Sequence, residues 1–407
     1  MKGDKTVFIG MSGGVDSSVA AYLLKKQGYN AVGVFMRCSD GGSGSTSPAG
    51  FRGASCGWEK DAEDARRVAE HLKIPFYVWN FEEEYERRVV RYMIDGYRNG
   101  LTPNPDVMCN KEIKFGLFLE KALAAGADYV ATGHYVRLEK AECRKENVER
   151  VRKRKAPILH SPFSILRSAI DSNKDQSYFL WTLTQQQLQY CLFPIGDYLK
   201  PQVREIARKA GLPTAEKKDS QGICFLGNVD VGDFLRQYIA ERPGDLMTVD
   251  GKKIGEHSGA QFYTIGQRHI KANFQFPMTN GQHQRKPLYV TAKDIDSNTV
   301  VVAEGAENPA LFRREVNLTM MNFIDPLFAN LVKLANRAGG VKVFARVRYR
   351  QPLFAAKLTL EDKKWKLIFD QPQKFVASGQ SAVFYKEQGT GNREQGGYEM
   401  LGGGVIV

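Results

Sequence analysis

No C-x-x-C pair occurs anywhere in the chain, and its six cysteines, Cys38, Cys56, Cys109, Cys143, Cys191 and Cys224, are scattered. That excludes a zinc ribbon and a disulfide-stapled secreted scaffold, and leaves each thiol to be judged by its neighbours. Nor is there a run of the roughly 18 uninterrupted apolar residues that a membrane-crossing helix needs. The N-terminus shows no charged-then-apolar signal pattern, and a strand pattern begins as early as Thr6, so a cytoplasmic protein without membrane contact is expected. No internal repeat is evident. Acidic charge is in short supply: 45 Asp and Glu face 58 Lys and Arg, a formal net charge of +13. Such an excess favours a polyanionic partner, nucleic acid first, although a basic surface kept for solubility has the same signature.

What is present is length and alternation. A chain of 407 residues, 43% hydrophobic and 25% charged, supports two or three domains of about 100 to 200 residues each. From Thr6, apolar strands alternate with amphipathic helices: Val7-Phe8-Ile9, a helix over Val15 to Gln27, Ala31 to Met36, a helix over Asp61 to Leu72, then Phe76 to Trp79. Ile113 to Ala125 continues as a helix, and Tyr129 to Thr132 as a buried strand ending in Gly133-His134. The alternation predicts an α/β domain, a Rossmann-like doubly wound parallel sheet, over residues 1–216. Residues 217–285, with Gly-rich turns and a helix around Val231 to Ala240, predict a small α+β central domain. Residues 286–407 carry short strands at Leu288 to Val290, Thr299 to Val302, Val341 to Val347, Ala355 to Leu360, Lys364 to Phe369 and Ser381 to Tyr385, and predict a β-barrel. Two stretches interrupt the pattern: 39–55, rich in Gly and Ser and expected to be a mobile loop, and 140–160, dominated by Lys, Arg and Glu and expected to be a solvated insertion.

The sharpest local signal is Ser12-Gly13-Gly14-Val15-Asp16-Ser17-Ser18, between the strand ending at Gly10-Met11 and the helix beginning near Asp16. Glycines there let the backbone approach an anion, and the unpaired N–H groups and positive dipole end of the helix attract phosphate. A Walker A loop needs a lysine, which this segment lacks, and the dinucleotide fingerprint G-x-G-x-x-G is missing too. A serine-capped Gly-Gly turn accounts for the glycines but not for four polar side chains converging on one helix start. Adenine is expected across neighbouring strand ends, near Met36 and Gly133.

Two cysteines lie in polar loops. Cys109 follows Asn104-Pro105-Asp106, a turn stiffened by Pro103 and Pro105, and falls close to the start of the Ile113 helix, where the dipole and Lys111 or Lys114 favour thiolate. Cys224 lies in Lys217-Lys218-Asp219-Ser220-Gln221-Gly222-Ile223-Cys224-Phe225. On its own, each thiol reads more readily as a buried small residue than as a catalyst.

In order along the chain stand S-G-G-V-D-S-S, N-P-D-x-x-C-N-K-x-I-K-F, A-T-G-H-Y, S-N-K-D-Q-S-Y-F-L, F-P-I-G, K-D-S-x-G-I-C-F and Y-T-I-G-Q-R. Over nearly its whole length the sequence resembles the tRNA-specific 2-thiouridylases of the MnmA type, PP-loop ATP pyrophosphatases with an adenine nucleotide alpha hydrolase-like first domain. The resemblance implies that Gly10, Met11, Ser12, Gly13, Gly14, Val15, Asp16, Ser17, Met36 and Gly133 bind ATP, with Asp16 managing Mg2+ or the loop's geometry and no metal held tightly by the protein. It implies that ATP adenylates the 2-oxygen of the wobble uridine. Cys224, as persulfide carrier, then delivers sulfur, Cys109 acts as nucleophile, and a Cys109–Cys224 disulfide results. Asp106 is implied as acid/base, with Asn104 and Pro105 shaping the pocket for a flipped base. His134, Lys174, Asp175, Gln176, Arg348, Tyr349, Arg350 and Gln380 are implied as tRNA contacts. The partners implied are tRNA and a persulfide donor protein, the enzyme itself acting as a monomer.

After Tyr263-Thr264-Ile265-Gly266-Gln267-Arg268 the sequence departs from the family pattern over 269–285, which puts that loop's part in placing tRNA in question. Cys38 and Cys56 flank the Gly/Ser stretch without third or fourth metal ligands in view. Two other readings share features with this one. Another PP-loop enzyme, an amide-forming ligase, needs the loop but neither cysteine; a tRNA-binding module without catalysis needs only the charge.

Overall fold

The computed structural model describes residues 4–39, 58–141, 163–219, 230–274, 286–335, 339–387 and 397–407. Cys56, Cys143 and Cys224 lie outside them, as do almost all of 39–55, most of 140–160 and residues 275–285.

The first domain is built on a five-stranded parallel sheet. β1 (Thr6–Gly10) lies between β2 (Asn30–Arg37) and β4 (Tyr129–Thr132), with β3 (Phe76–Asn80) outside β2 and the short strand Cys191–Leu192 outside β4. The strand order reverses between β1 and β4, which opens the crevice at the carboxyl ends where such sheets bind ligands. Helix α1 (Val15–Lys26) leaves from that end of β1 and buries Val15, Val19, Ala20 and Leu24 against the sheet. Asp16 in its first turn and Lys25 and Lys26 in its last suit the helix dipole. α2 (Trp58–His71) packs on the same side through Ala62, Ala65 and Val68.

The two strands expected to open the C-terminal barrel, Leu288–Asp294 and Thr299–Glu304, instead complete the central sheet. Thr299 to Val302 pair in parallel with Asp245 to Thr248, so the order runs Ala272–Phe274, Lys253–His257, Gly244–Thr248, Thr299–Glu304, Leu288–Asp294. Short apolar strands read alike in a sequence, and which sheet they join is settled by distant partners. The start of the altered stretch, Ala272–Phe274, is an edge strand of this sheet.

The C-terminal barrel has the order Phe312–Phe323, Lys364–Lys374, Phe354–Glu361, Val341–Arg346, Ser381–Glu387, Tyr398–Ile406, and closes where the first of these pairs with the last. A hairpin of the first domain, Val136–Ala141 with Phe163–Ser168, joins its rim at Arg167 opposite Glu399. No helix among the described residues is long and apolar enough to cross a membrane.

The barrel is docked on the first domain through residues 175–183. Arg346 donates to Asp175 Oδ2 at 2.6 Å, to the Tyr385 hydroxyl at 2.8 Å and to Ser177 Oγ at 3.1 Å, and the Arg346 and Asp175 side chains are only 7% and 6% exposed. Tyr178 and Trp181 donate to the carbonyl and hydroxyl of Ser381, both at 2.9 Å. A charge pair this deep is costly to assemble but more costly to halve, because one partner is left buried alone. Arg346→Met should therefore lower the unfolding free energy by about 3 to 5 kcal/mol. Urea denaturation followed by tryptophan fluorescence measures it, and a wild-type midpoint would show that the pair does not secure the barrel.

Candidate active site

The turn after β1 is cross-braced by its own serines. Ser12 N donates to Ser17 Oγ at 3.1 Å, Gly14 N to Ser12 Oγ at 3.4 Å, and the Ser17 and Ser18 hydroxyls donate to Gly14 O at 3.2 and 2.8 Å. Gly13 has φ +71°, and a Cβ there would fall 2.2 Å from Asp61 O, so the start of α2 presses directly on the loop. Gly133, at the end of β4, lies so close to α1 that a Cβ would sit 2.6 Å from Ser17 N. Met36 reaches over Gly10, its Cε 3.0 Å from where a Cβ would stand. Met11 and Val15 are 1% and 3% exposed and belong to the core, so they can meet a nucleotide only through their backbone.

The loop lacks a lysine in sequence but not in space. Lys200, at the start of the Lys200–Lys209 helix, puts its ammonium 2.8 and 2.9 Å from the two oxygens of Asp16 and 2.9 Å from Asp219 Oδ1, with 11% of its side chain exposed. The Tyr135 hydroxyl donates to Asp16 Oδ1 at 2.8 Å. Burial, then the charge of Asp16, pushes that phenol's pKa up, so it stays a donor. Asp219 also receives Lys174 at 2.7 Å and Arg204 at 2.6 Å. Burial alone would raise the Asp219 pKa, but the hydrogen bonds and charges of Lys174 and Lys200 outweigh it and hold the carboxyl at about 2. Two residues earlier, Lys217 grips Asp61 and Asp64 of α2 at 2.7 and 2.6 Å. The stem of the Cys224 segment is thus tied to both flanks of the loop.

Asp16, with an ammonium on both oxygens, does not fit a protein-held magnesium ion. Among the described residues no group of three or more His, Cys, Asp or Glu could hold a metal. The partners of Asp16 are the Lys200 ammonium and the Tyr135 hydroxyl.

Cys109 does not begin the helix at Ile113. Asn104 caps an earlier start, its side chain accepting from Val107 N at 3.2 Å with Pro105 at the first position. Pro105–Cys109 runs on without a break into a π-helical stretch, Asn110–Leu117, and then Phe118–Ala124. Gly116 fits the wider turns: a Cβ there would be 2.9 Å from Lys111 O. Asp106 takes the dipole-facing first turn, half-buried, while Cys109 ends the α-helical turns and is 3% exposed within the core. Cys38, Cys109 and Cys191 are not disulfide-bonded. Burial pushes the Cys191 thiol up, and its Sγ donates to Gln187 O at 3.2 Å, the chemistry of a core residue.

Residues 5–228 match a family model described as a tRNA methyl transferase HUP domain, 232–304 a tRNA methyl transferase PRC-barrel domain, and 327–406 an aminomethyltransferase beta-barrel domain. The tRNA-specific 2-thiouridylase MnmA of Streptococcus agalactiae serotype Ia is 44% identical over 402 residues, 98% of this chain and 94% of its own. That of Bacillus licheniformis is 42% identical over 406 residues, 99% and 95% of the two chains. The chain belongs to the MnmA family of tRNA-specific 2-thiouridylases.

Of the tRNA contacts expected for an MnmA relative, several have side chains already engaged within the protein. His134 is 7% exposed, its Nδ1 2.7 Å from Thr132 Oγ1 and its ring beside Phe115 and Phe193; burial, then nearby Lys114, pushes its pKa well down. Asp175 is taken by Arg346, Lys174 by Asp219, and Gln176 Oε1 accepts from Tyr135 N at 2.9 Å. Arg348 donates to the carbonyls of Phe375 and Ile265, stapling the barrel to the central domain. Gln380 donates to Thr102 O. Arg350 is exposed, its guanidinium 5.4 Å from the ring of Tyr349, which is half-buried and lies 4.4 Å from the Phe179 ring, centroid to centroid.

Lys200, Tyr135 and Asp219 were the side chains missed in sequence. Lys200 follows the quoted F-P-I-G, and the other two stand inside quoted motifs, A-T-G-H-Y and K-D-S-x-G-I-C-F. Because the folded pKa of Asp219 lies below its ordinary 3.8, its stabilisation is complete above about pH 4 and is lost as pH falls toward about 2. Asp219→Asn should therefore be less stable than wild type at neutral pH, the gap closing across that window. A gap independent of pH in acid titrations would show that the charge is not what Asp219 supplies.

Proposed function

We propose that the protein is a tRNA 2-thiouridylase that uses ATP to exchange the 2-oxygen of wobble uridine for sulfur. The observation that carries this reading is the joint presence, in one domain, of the serine-braced loop and the Asn104-capped helix bearing Asp106 and Cys109, in a chain 44% identical over 402 residues to a named 2-thiouridylase. The backbone N–H groups at the start of α1 hold phosphate, and Lys200 supplies the cation that the loop's own sequence lacks. The 2-oxygen of uracil attacks the α-phosphorus of ATP and pyrophosphate leaves, converting a poor leaving group into AMP. The terminal sulfur of a persulfide on Cys224 attacks C2 and AMP departs. The Cys109 thiolate then attacks Cys224 Sγ, breaking its bond to the transferred sulfur, which stays on C2; the Cys109–Cys224 disulfide is reset by an external thiol reductant. Asp106 handles the proton at the base.

The partners are tRNA, drawn by the positive charge with an affinity that falls as salt rises, and a persulfide-carrying donor protein. The enzyme works as a cytoplasmic monomer. Magnesium entering on the nucleotide takes its ligands from phosphate oxygens and water.

Incubation with ATP, a persulfide donor and unmodified tRNA, followed by digestion and mass spectrometry of the nucleosides, tests the reading. We expect 2-thiouridine together with AMP and pyrophosphate; a methylated nucleoside, or none altered, would overturn it. Cys109→Ser and Cys224→Ser should each abolish 2-thiouridine, and activity retained in both would point to an amide-forming PP-loop enzyme. Lys200→Met should slow AMP release by about a hundredfold or more, and a wild-type rate would remove Lys200 from the phosphate site.

A further inference from the structure

Thr102 leads into Pro103-Asn104-Pro105-Asp106, and the C-terminal barrel holds both of its backbone polar groups. Its N–H donates to Ser378 O at 2.7 Å, and its carbonyl accepts from Gln380 Nε2 at 2.9 Å. The partners, Gln380 being 278 positions away in sequence, sit in one turn just ahead of the strand Ser381–Glu387. Between them Gly379 has φ +91°, and a Cβ there would stand 2.8 Å from Thr102 N and 3.0 Å from Leu101 Cβ. Only glycine lets the turn come this close. The turn is itself secured, since Gly379 N donates to Ile406 O and Ile406 N to Gln380 O, both at 2.8 Å.

The other sides of the segment are packed as tightly. A Cβ on Gly96 would lie 2.8 Å from Pro103 Cγ, and one on Gly100 2.5 Å from Ile295 of the central domain. Thr102 Oγ1 is 3.4 Å from Thr264 Oγ1, also of the central domain, and Thr102 is 6% exposed. The start of the helix bearing Asp106 and Cys109 is thus located by parts of the chain that do no chemistry.

We infer that Gln380 and Gly379 are positioning residues for the catalytic helix. The barrel turn fixes Thr102, Thr102 fixes where the Asn104-capped helix begins, and that origin sets where Asp106 and Cys109 stand. The inference rests on the thiolation reading above. It assigns Gln380 a role through the catalytic loop, by way of the amide that donates to Thr102 O.

Gln380→Met keeps the side chain's length and removes its donor. The single-turnover rate of 2-thiouridine formation at saturating ATP and tRNA should fall on the order of tens to a hundredfold, while the tRNA Kd moves by less than about twofold. Amide hydrogen exchange in the peptide spanning residues 101–109 should quicken, and Gln380→Lys, which retains a donor of similar reach, should recover much of the rate. A wild-type saturating rate in Gln380→Met overturns the inference, whether or not RNA binding weakens. If the wild-type protein makes no 2-thiouridine, the thiolation reading fails instead, and the exchange measurement still decides: unchanged exchange in Gln380→Met overturns the positioning role.

Discussion

Lys200 holds its ammonium between the carboxylates of Asp16 and Asp219, at 2.8 and 2.9 Å, with little of its side chain open to solvent. An ammonium so placed loses much of its hydration, and only the pair of carboxylates makes the position tolerable. The consequence is reciprocal. Asp16 is fixed at the first turn of α1, so the loop after β1 has a defined edge, and Asp219 is fixed by the same ammonium. An anion arriving at the loop competes with both carboxylates for the same cation. An anion at the loop and the position of Asp219 are therefore coupled through one charge.

The same network reaches the barrel. The Tyr135 hydroxyl holds Asp16, Gln176 holds the backbone of Tyr135, and next to Gln176 stands Asp175, whose carboxylate is buried against Arg346. Lys174 closes the circuit on Asp219. Residues 174–177, which in sequence resemble the family's tRNA-contacting loop, join the loop after β1 to the barrel. Arg348 acts likewise toward the central domain. The charges of Arg346, Lys174 and Arg348 are thus engaged in contacts within the protein.

Much of the first domain was legible because its signals are local. Strand and helix periods alternate from Thr6 onward, and Ser12 to Ser18 sit where a strand ends and a helix begins, so the loop and its anion preference follow from neighbours in sequence. Lys200 was not legible in that way. It stands 184 positions from Asp16 and has no local feature that marks it as part of the loop; only the fold of the parallel sheet brings its helix to the carboxyl ends of the strands. Asp175 is buried against an arginine 171 positions away, a pairing that no local feature marks. The two strands between Leu288 and Glu304 were seen as strands and given to the wrong sheet, since pairing partners are not written in the strand itself.

The start of the catalytic helix shows how local and distant constraints combine. Asn104 and Pro105 are ordinary start signals, sufficient to begin a helix there rather than at Ile113. Once it begins there, Cys109 lies beyond the first turn and inside the core, so the helix dipole falls to Asp106 and not to the thiol. The π-helical turns that follow insert a wider register between Cys109 and the regular helix from Phe118, and Asn110 Nδ2 donates to Phe179 O at 3.4 Å. A thiol in that position is shielded from solvent and from adventitious oxidants. Burial of that kind favours reaction with a partner brought beside the thiol over side reactions with whatever diffuses past.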